Sequence, residues 1–185
     1  RFSHTNYPIS ALVEQIDTGE LSLPDLQRPF VWDRSKVRDL FDSLYQGFPA
    51  GYFLFWSTPA PVDSHKVATS AGSSKGLKMI VDGQQRLTSL YAVMKGRKVI
   101  TADNDEQLIR ISFNPLTEAF AVADASRERD PEWLTDISSI WNSAGGEWAF
   151  TNSFIKQMAE KDISQDKLDI AGKNLSKLSA LKNYQ

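Results

Sequence analysis

Five consecutive residues, Asp82-Gly83-Gln84-Gln85-Arg86, place a carboxylate, a glycine, two amides and a guanidinium between two apolar runs. Each type suits anion chemistry. A guanidinium forks onto a phosphate or carboxylate. Amides both donate and accept hydrogen bonds. A carboxylate holds Mg²⁺ or orients a water. Glycine lets a ligand approach the main chain and tolerates unusual dihedrals. The flanks decide how these groups are presented. Residues 78–81, "KMIV", read as a buried strand. Leu87, Leu90, Tyr91 and Met94 form the core stripe of a helix starting near Gln84. The first N–H groups of that helix lack intrahelical partners, and its N-terminus carries about half a positive charge, a natural phosphate seat. The other reading is an ordinary junction, with Asp82 as N-cap, Gly83 in the turn and Arg86 paired with Asp82.

A second cluster, "LPDLQRPFVWD", repeats the Gln-Arg pair at Gln27 and Arg28, between Pro24 and Pro29. The prolines stiffen the segment and so limit the entropy cost of presenting those side chains. Phe30 and Trp32 read as core anchors or as rings that stack on a base, with at least one in the core. Two Gln-Arg pairs on separate rigid turns suit convergence on one anionic ligand, although sequence alone does not bring them together.

Other chemistries find little support. The chain has no G-x-x-x-x-G-K-[ST], G-x-G-x-x-G or G-x-S-x-G motif. "AGSSKGLK", Ala71 to Lys78, has the wrong spacing for a phosphate loop and reads as linker. His4 and His65 are the only histidines and cysteine is absent, so a zinc site or a histidine-based nuclease centre has no basis. The lack of cysteine also excludes a disulfide scaffold and fits a cytoplasmic protein. No apolar run approaches the roughly 18 residues of a membrane span, and no signal peptide is visible. The chain opens on Arg1, which reads as a piece of a longer protein.

The 185 residues suit one domain, or one domain with an appendage, and are enough to bury roughly 70% of the unfolded surface. Apolar content of 41% and charged content of 24% are those of a globular protein. A net charge of −2 excludes a wholly basic nucleic-acid binder. Locally the balance differs. From Lys66 to Lys98 seven cations (Lys66, Lys75, Lys78, Arg86, Lys95, Arg97, Lys98) oppose Asp82 alone, a surplus of +6. That stretch is either a solvated basic face or a surface that meets phosphates.

The elements that must position these groups follow from periodicity. Ile9, Leu12, Val13 and Ile16 form a helical stripe stopped by Gly19. "ELSL" is a short strand. Asp33 is an N-cap for a helix carrying Val37, Leu40, Phe41, Leu44 and Tyr45, up to Gly47. "GYFLFWS" reads as a strand, and Thr58 to Gly76 as a long loop. "RKVITA", "QLIRISFN" and "EAFAVAD" read as a strand series with a turn at Asn114-Pro115. Ser126 to Glu147 reads as irregular, with Trp133, Trp141 and Trp148 as core anchors. Ser164 is an N-cap, and Leu168, Ala171, Leu175, Leu178 and Leu181 form a stripe that would face something beyond this chain. The class is α+β, with no regular βαβ series.

Three blocks, "LPDLQRPFVWD", "SLYQGFPAGYFLFW" and "IVDGQQRLTSLYAV", together resemble the N-terminal domain of GmrSD-type restriction proteins. The order and spacing agree, and the resemblance covers roughly Pro8 to Asp124. "ISFNPLTEAFAVAD" is similar to the strand pair that follows in such proteins. Phe30 stands where many relatives have Tyr, removing a hydroxyl that could meet a phosphate or base. The resemblance implies a ParB/sulfiredoxin-like mixed sheet with packed helices over residues 1–124. A mainly helical extension, 125–185, would lead into a region beyond this chain. It implies a nucleoside triphosphate, of unspecified base, bound with Mg²⁺ and hydrolysed. Asp82, Gln85 and Arg86 would be catalytic, Gly83, Gln84, Gln85 and Arg86 would bind the nucleotide, and Asp82 would hold the metal. Gln27 and Arg28 would face the same pocket or help recognise modified DNA. It further implies a regulatory or sensor module of a phage-defence protein, acting on DNA through a nuclease domain or partner. The alternatives are a non-enzymatic module that recognises modified or foreign DNA and, last, a metal-dependent nuclease.

Overall fold

Helices form where apolar residues recur at three- and four-residue spacing between a start and a stop signal. The computed structural model describes residues 3–23, 29–57 and 78–185. α1 (Ile9–Asp17) buries Ile9, Leu12 and Val13 and ends ahead of Gly19, which takes φ 74°. β1 (Leu21–Ser22) follows. α2 (Arg34–Tyr45) starts at Asp33, whose carboxylate accepts the Lys36 N–H at 2.9 Å, and buries Val37, Phe41, Leu44 and Tyr45. β2 (Leu54–Ser57) and β3 (Lys78–Asp82) complete a three-stranded sheet. β3 is central, parallel to β1 and antiparallel to β2. Leu21 and Ile80 pack with Leu12 and with Leu87 of α3 (Gln84–Lys95), and Phe53 and Phe55 lie against them. The sheet therefore delivers the chain to the start of α3 from its central strand, of which only Ile80 is buried and Val81 is 52% exposed, where the sequence reading expected a buried strand.

α3 buries Leu87, Leu90, Ala92, Val93 and Met94. Tyr91 lies at the rim, its hydroxyl donating to Asp17 at 2.9 Å, and Lys95 pairs with the same carboxylate. β4 (Lys98–Ile100) pairs with β5 (Glu106–Leu108), and β6 (Ile111–Asn114) with β7 (Ala119–Val122), both antiparallel. The Asn114 side chain closes the second hairpin by accepting the Leu116 and Thr117 N–H groups at 2.8 and 3.2 Å. α4 (Ser138–Asn142), α5 (Gly146–Ala159) and α6 (Gln165–Ser179) follow. The described residues thus form a mixed α+β fold with three small sheets and six α-helices. Among them no helix is long and apolar enough to cross a membrane.

Two sequence expectations are corrected here. Residues 126–147 are more ordered than their composition implies: a 3₁₀ turn at Arg127–Arg129 and all of α4 lie there. The three tryptophans also differ. Trp141 lies against the core and donates its indole N–H to the Ser179 carbonyl at 3.1 Å. Trp133 is half-buried, with Arg127 5.0 Å from its ring centre. Trp148 is 82% exposed and anchors nothing. Phe150 and Phe154, about 160° and 120° around α5 from Trp148, lie against the core with Ile155, and Met158 is buried.

The main core gathers residues from α1 (Ile9), α2 (Phe41), α3 (Leu90), β6 (Phe113) and α6 (Leu175, Leu178). The α6 stripe, expected to face beyond the chain, is covered by this chain: all five of its residues are buried. The Ile9 N–H donates to the Tyr184 carbonyl at 2.9 Å, and the Tyr184 hydroxyl to the Gly47 carbonyl at 3.1 Å. These bonds tie the last turn onto α1 and the end of α2. A cross-brace joins α2 to α6 through the β6–β7 turn. Tyr45 donates to Glu118 at 2.8 Å, and Lys177 reaches the same carboxylate at 3.1 Å while lying 3.8 Å from the centre of the Tyr45 ring. These bonds hold the Glu118 carboxyl below its usual range, the Tyr45 hydrogen bond most and Lys177 next. Burial, then Glu118 itself, pushes the Tyr45 hydroxyl up.

Candidate anion site at the start of the third helix

Gly83 is the N-cap of α3, at φ 89° and ψ 10°. This left-handed conformation strains any other residue. Space is short too: a Cβ there would lie 2.7 Å from Phe53 Cδ1 and 3.2 Å from Arg86 Nη2. Glycine leaves the helix start without a side-chain cap, and the first turn carries no acidic residue. The first intrahelical bond runs from the Leu87 N–H to the Gly83 carbonyl at 3.0 Å, so the Gln84, Gln85 and Arg86 N–H groups precede the ladder. Asp82 is therefore not the cap of this helix.

Asp82 ends β3 with its side chain 76% exposed, 3.9 Å from Arg86 Nη2. A pair so long and so exposed contributes little to stability. Gln84 is half-buried beside it. The Arg86 side chain turns inward. Its Nη1 donates to the Ala50 carbonyl at 2.5 Å and its Nη2 to the Tyr52 carbonyl at 2.8 Å. The guanidinium carbon lies 5.3 Å from the centre of the Phe53 ring. Gln85 is engaged in the same way. Its Oε1 accepts the Val31 N–H at 3.0 Å, and its Nε2 donates to the Pro29 carbonyl at 3.1 Å. One amide side chain so imitates a neighbouring strand. Between those two contacts the Phe30 N–H donates to the Ile100 carbonyl at 2.9 Å, so the loop is pinned from both sides.

The Phe30 ring is 5% exposed and belongs to the core. Trp32 is half-buried, with Lys36 4.6 Å from its ring centre. Gln27 and Arg28 lie outside the described residues, as do the expected loop of 58–76, with His65, Lys66 and Lys75 in it. Sequence reading places Ala50-Gly51-Tyr52 and Pro29 to Val31 within blocks that carry the family resemblance, but does not show that they hold Gln85 and Arg86. They do so through main-chain carbonyls and an N–H, and Gly51 is the residue type that marks the contact.

The remaining cations of the basic stretch are largely spoken for. Lys78 donates to the Tyr7 hydroxyl at 3.2 Å, and Lys98 pairs with Glu106 at 2.7 Å. Asp17 takes Lys95, and the hydrogen bond from Lys95, followed by that from Tyr91, holds the Asp17 carboxyl below its usual range. A row of unpaired cations does not emerge from the described part of this stretch.

Asp82 offers one exposed carboxylate, and among the described residues no group of three or more His, Asp or Glu side chains could hold a metal. That donor set makes no protein cage for a divalent ion. It does fit Mg²⁺ carried on phosphates, which keeps most of its water and takes one or two protein carboxylates. Elsewhere, a groove of about 600 Å³ opens between the start of α2 and the β4–β5 hairpin. Arg34 and Arg110 line it against Asp103, Asp105 and Glu106, and no residue of the Asp82–Arg86 motif reaches it.

Comparison with known proteins agrees with the motif. An uncharacterized protein of Methanocaldococcus jannaschii, MJ0686, is 33% identical over 126 residues, which is 63% of this chain and 22% of that protein. The chain thus spans less than a quarter of the length of that relative. Residues 9–184 match the GmrSD restriction endonuclease, N-terminal domain, across both the sheet that carries the motif and the helices that follow it. This chain belongs to that family of restriction-endonuclease N-terminal domains.

Proposed function

We propose that the start of α3 is the triphosphate seat of a nucleotide-dependent regulatory module in a phage-defence restriction protein. One observation carries this reading: a glycine-entered helix N-terminus with no side-chain cap and no acid in its first turn, at the exposed end of the central strand. Three successive N–H groups and the helix dipole favour a phosphate there. Gly83 keeps that approach open, and Gln84 adds a donor at its edge. Mg²⁺ would neutralise phosphate charge, with Asp82 as its protein oxygen. Alone, that carboxylate would repel the phosphates. Gln27 and Arg28 would line the same pocket from the upstream segment. Catalysis would rest on positioning and charge stabilisation, the usual terms of phosphoryl transfer.

Within a full-length cytoplasmic protein, turnover here would govern a nuclease domain acting on foreign DNA. In this reading the β1–β3–β2 sheet and its helices form a ParB/sulfiredoxin-like scaffold. The domain would be the controlling part of the protein rather than the cutting one. A DNA-reading module is less well supported, because Lys78, Arg86, Lys95 and Lys98 each bond or pair within the fold.

Thermal denaturation with ATP, GTP, CTP and UTP, each with Mg²⁺, tests the proposal. A nucleotide at 100 times its dissociation constant should stabilise the fold by about 2.7 kcal/mol. Asp82→Ala should weaken the Mg²⁺-dependent part and abolish turnover. No stabilisation by any of the four, together with salt-sensitive duplex binding, would replace this reading with the DNA-binding one.

A further inference from the structure

We infer that Gln85 and Arg86 are positioning residues, whose side chains clasp two loops against the start of α3 and reach the nucleotide only through those loops. The inference rests on the nucleotide reading above for its ligand, but the clasp itself stands on geometry.

Consider what each side chain has left to offer. The Gln85 amide has its donor on the Pro29 carbonyl and its acceptor on the Val31 N–H. The Arg86 fork spends one arm on Ala50 and the other on Tyr52, two carbonyls of one loop. Two of its five N–H donors are thus taken, and the Nη1–Nη2 edge can grip a phosphate only by releasing both carbonyls. The loop opposite has been shaped around it. Gly51 takes φ 83°, and a Cβ on it would lie 2.1 Å from Arg86 Nη1. Its lack of a side chain is what lets the guanidinium close onto the loop. On the other flank Gly83 leaves room for Phe53, the residue that follows Tyr52, and Arg86 lies over that same ring.

The motif thus divides by direction. In the nucleotide reading, the main-chain N–H groups of Gln84, Gln85 and Arg86 and the Asp82 carboxylate would serve the seat. The side chains of Gln85 and Arg86 face the protein and fix the walls, with Val31 and the 80% exposed Tyr52 on the two loops they hold. This explains why adjacent residues of one helix turn carry the pair. Successive positions point about 100° apart, so one turn of helix can hold two different loops.

Charge and clasp make different demands on Arg86. A phosphate-neutralising cation tolerates Arg86→Lys in part, because the ammonium keeps the charge. A clasp does not, because one ammonium cannot replace a planar fork on two carbonyls. The test uses the folded chain, with far-UV circular dichroism to confirm folding of every variant. The Kd for the best-binding Mg²⁺–nucleotide of the four is measured for wild type, Arg86→Lys, Arg86→Ala, Gly51→Ala and the Arg86→Ala/Gly51→Ala double variant. The expected result is a similar rise, tenfold or more, in all four variants, with the double variant no worse than either single one. Binding kept within a few-fold in Arg86→Lys but lost in Arg86→Ala would overturn the assignment in favour of direct charge contact. Unchanged Kd in all the folded variants would overturn it in favour of a merely structural role.

A ligand-free arm separates the clasp from the nucleotide reading. Hydrogen exchange at the Val31 amide should quicken at least tenfold in Gln85→Ala. Exchange at the wild-type rate would sink the clasp, whatever binds. Failure of the wild type to bind any nucleotide, with Val31 still protected by Gln85, would sink the ligand and leave the clasp.

Discussion

Gly83 and Phe53 are in van der Waals contact across the start of α3, and the space between them is too small for a methyl group: a Cβ on Gly83 would lie 2.7 Å from Phe53 Cδ1. Backbone conformation and packing make the same demand, since φ at Gly83 is 89°. Gly83→Ala is expected to destabilise the fold by about 1–3 kcal/mol, combining left-handed strain with the clash. Urea denaturation checks this. Measured against Phe53→Ala alone, adding Gly83→Ala should cost less than it does in wild type but more than nothing, because removing the ring relieves the clash but leaves the strain.

The brace of Tyr45, Glu118 and Lys177 gives a pH signature. The Glu118 carboxyl lies below its ordinary value in the folded state because Tyr45 and Lys177 favour its charged form. A depressed carboxylate contributes stability above its unfolded value and loses it as pH falls through the folded value. Glu118→Gln should therefore lower Tm near pH 7. The gap from wild type should begin to close as pH falls through the ordinary glutamate range and should vanish only below the folded value, which lies beneath that range. A gap of equal size at pH 3 and pH 7 would remove the charge from this account.

α6 should behave as part of the same cooperative unit as the sheet. Leu175 is fully buried in the core that holds Phe41 and Leu90. Leu175→Ala is expected to cost about 2–5 kcal/mol. The loss should appear as one transition, shifted alike by far-UV circular dichroism and tryptophan fluorescence. Two separated transitions would mark residues 125–185 as an independent unit.

Two exposed positions should bracket the scale. Asp33→Ala removes the acceptor for the Lys36 N–H and should lower stability measurably. Trp148→Ala should stay within about 0.5 kcal/mol, because the ring is 82% exposed. Guanidinium denaturation of the two variants side by side tests both. A large loss at Trp148 would mean that its ring is covered in solution.

What was legible in the sequence follows the range over which each signal acts. Asp33 announces α2 and the stripe ending at Met94 announces α3, since both signals lie within a turn or two of the element. α4 and the start of α5 were hidden. One is five residues long, and the other begins on Gly146, which opposes helix locally, so tertiary contacts set both. The motif was visible as a polar cluster, but the direction of its side chains was not. Gln85 and Arg86 find partners 34 to 56 residues away, and those partners are carbonyls and an N–H that every sequence supplies. Trp148 illustrates the opposite failure. Its type argues for burial, while its place on α5 turns it outward.

The bond between Ile9 and Tyr184 has a mechanical consequence. A polypeptide that enters at Ile9 and leaves at Tyr184 crosses the surface at a single knot. Tension applied between those two points is taken up across one short link, and neither β3 nor α3 lies on that load path. Neighbouring segments could swing or tug there without loosening Gly83. The domain would then hang like a bead on a string, indifferent to the pull of its tethers.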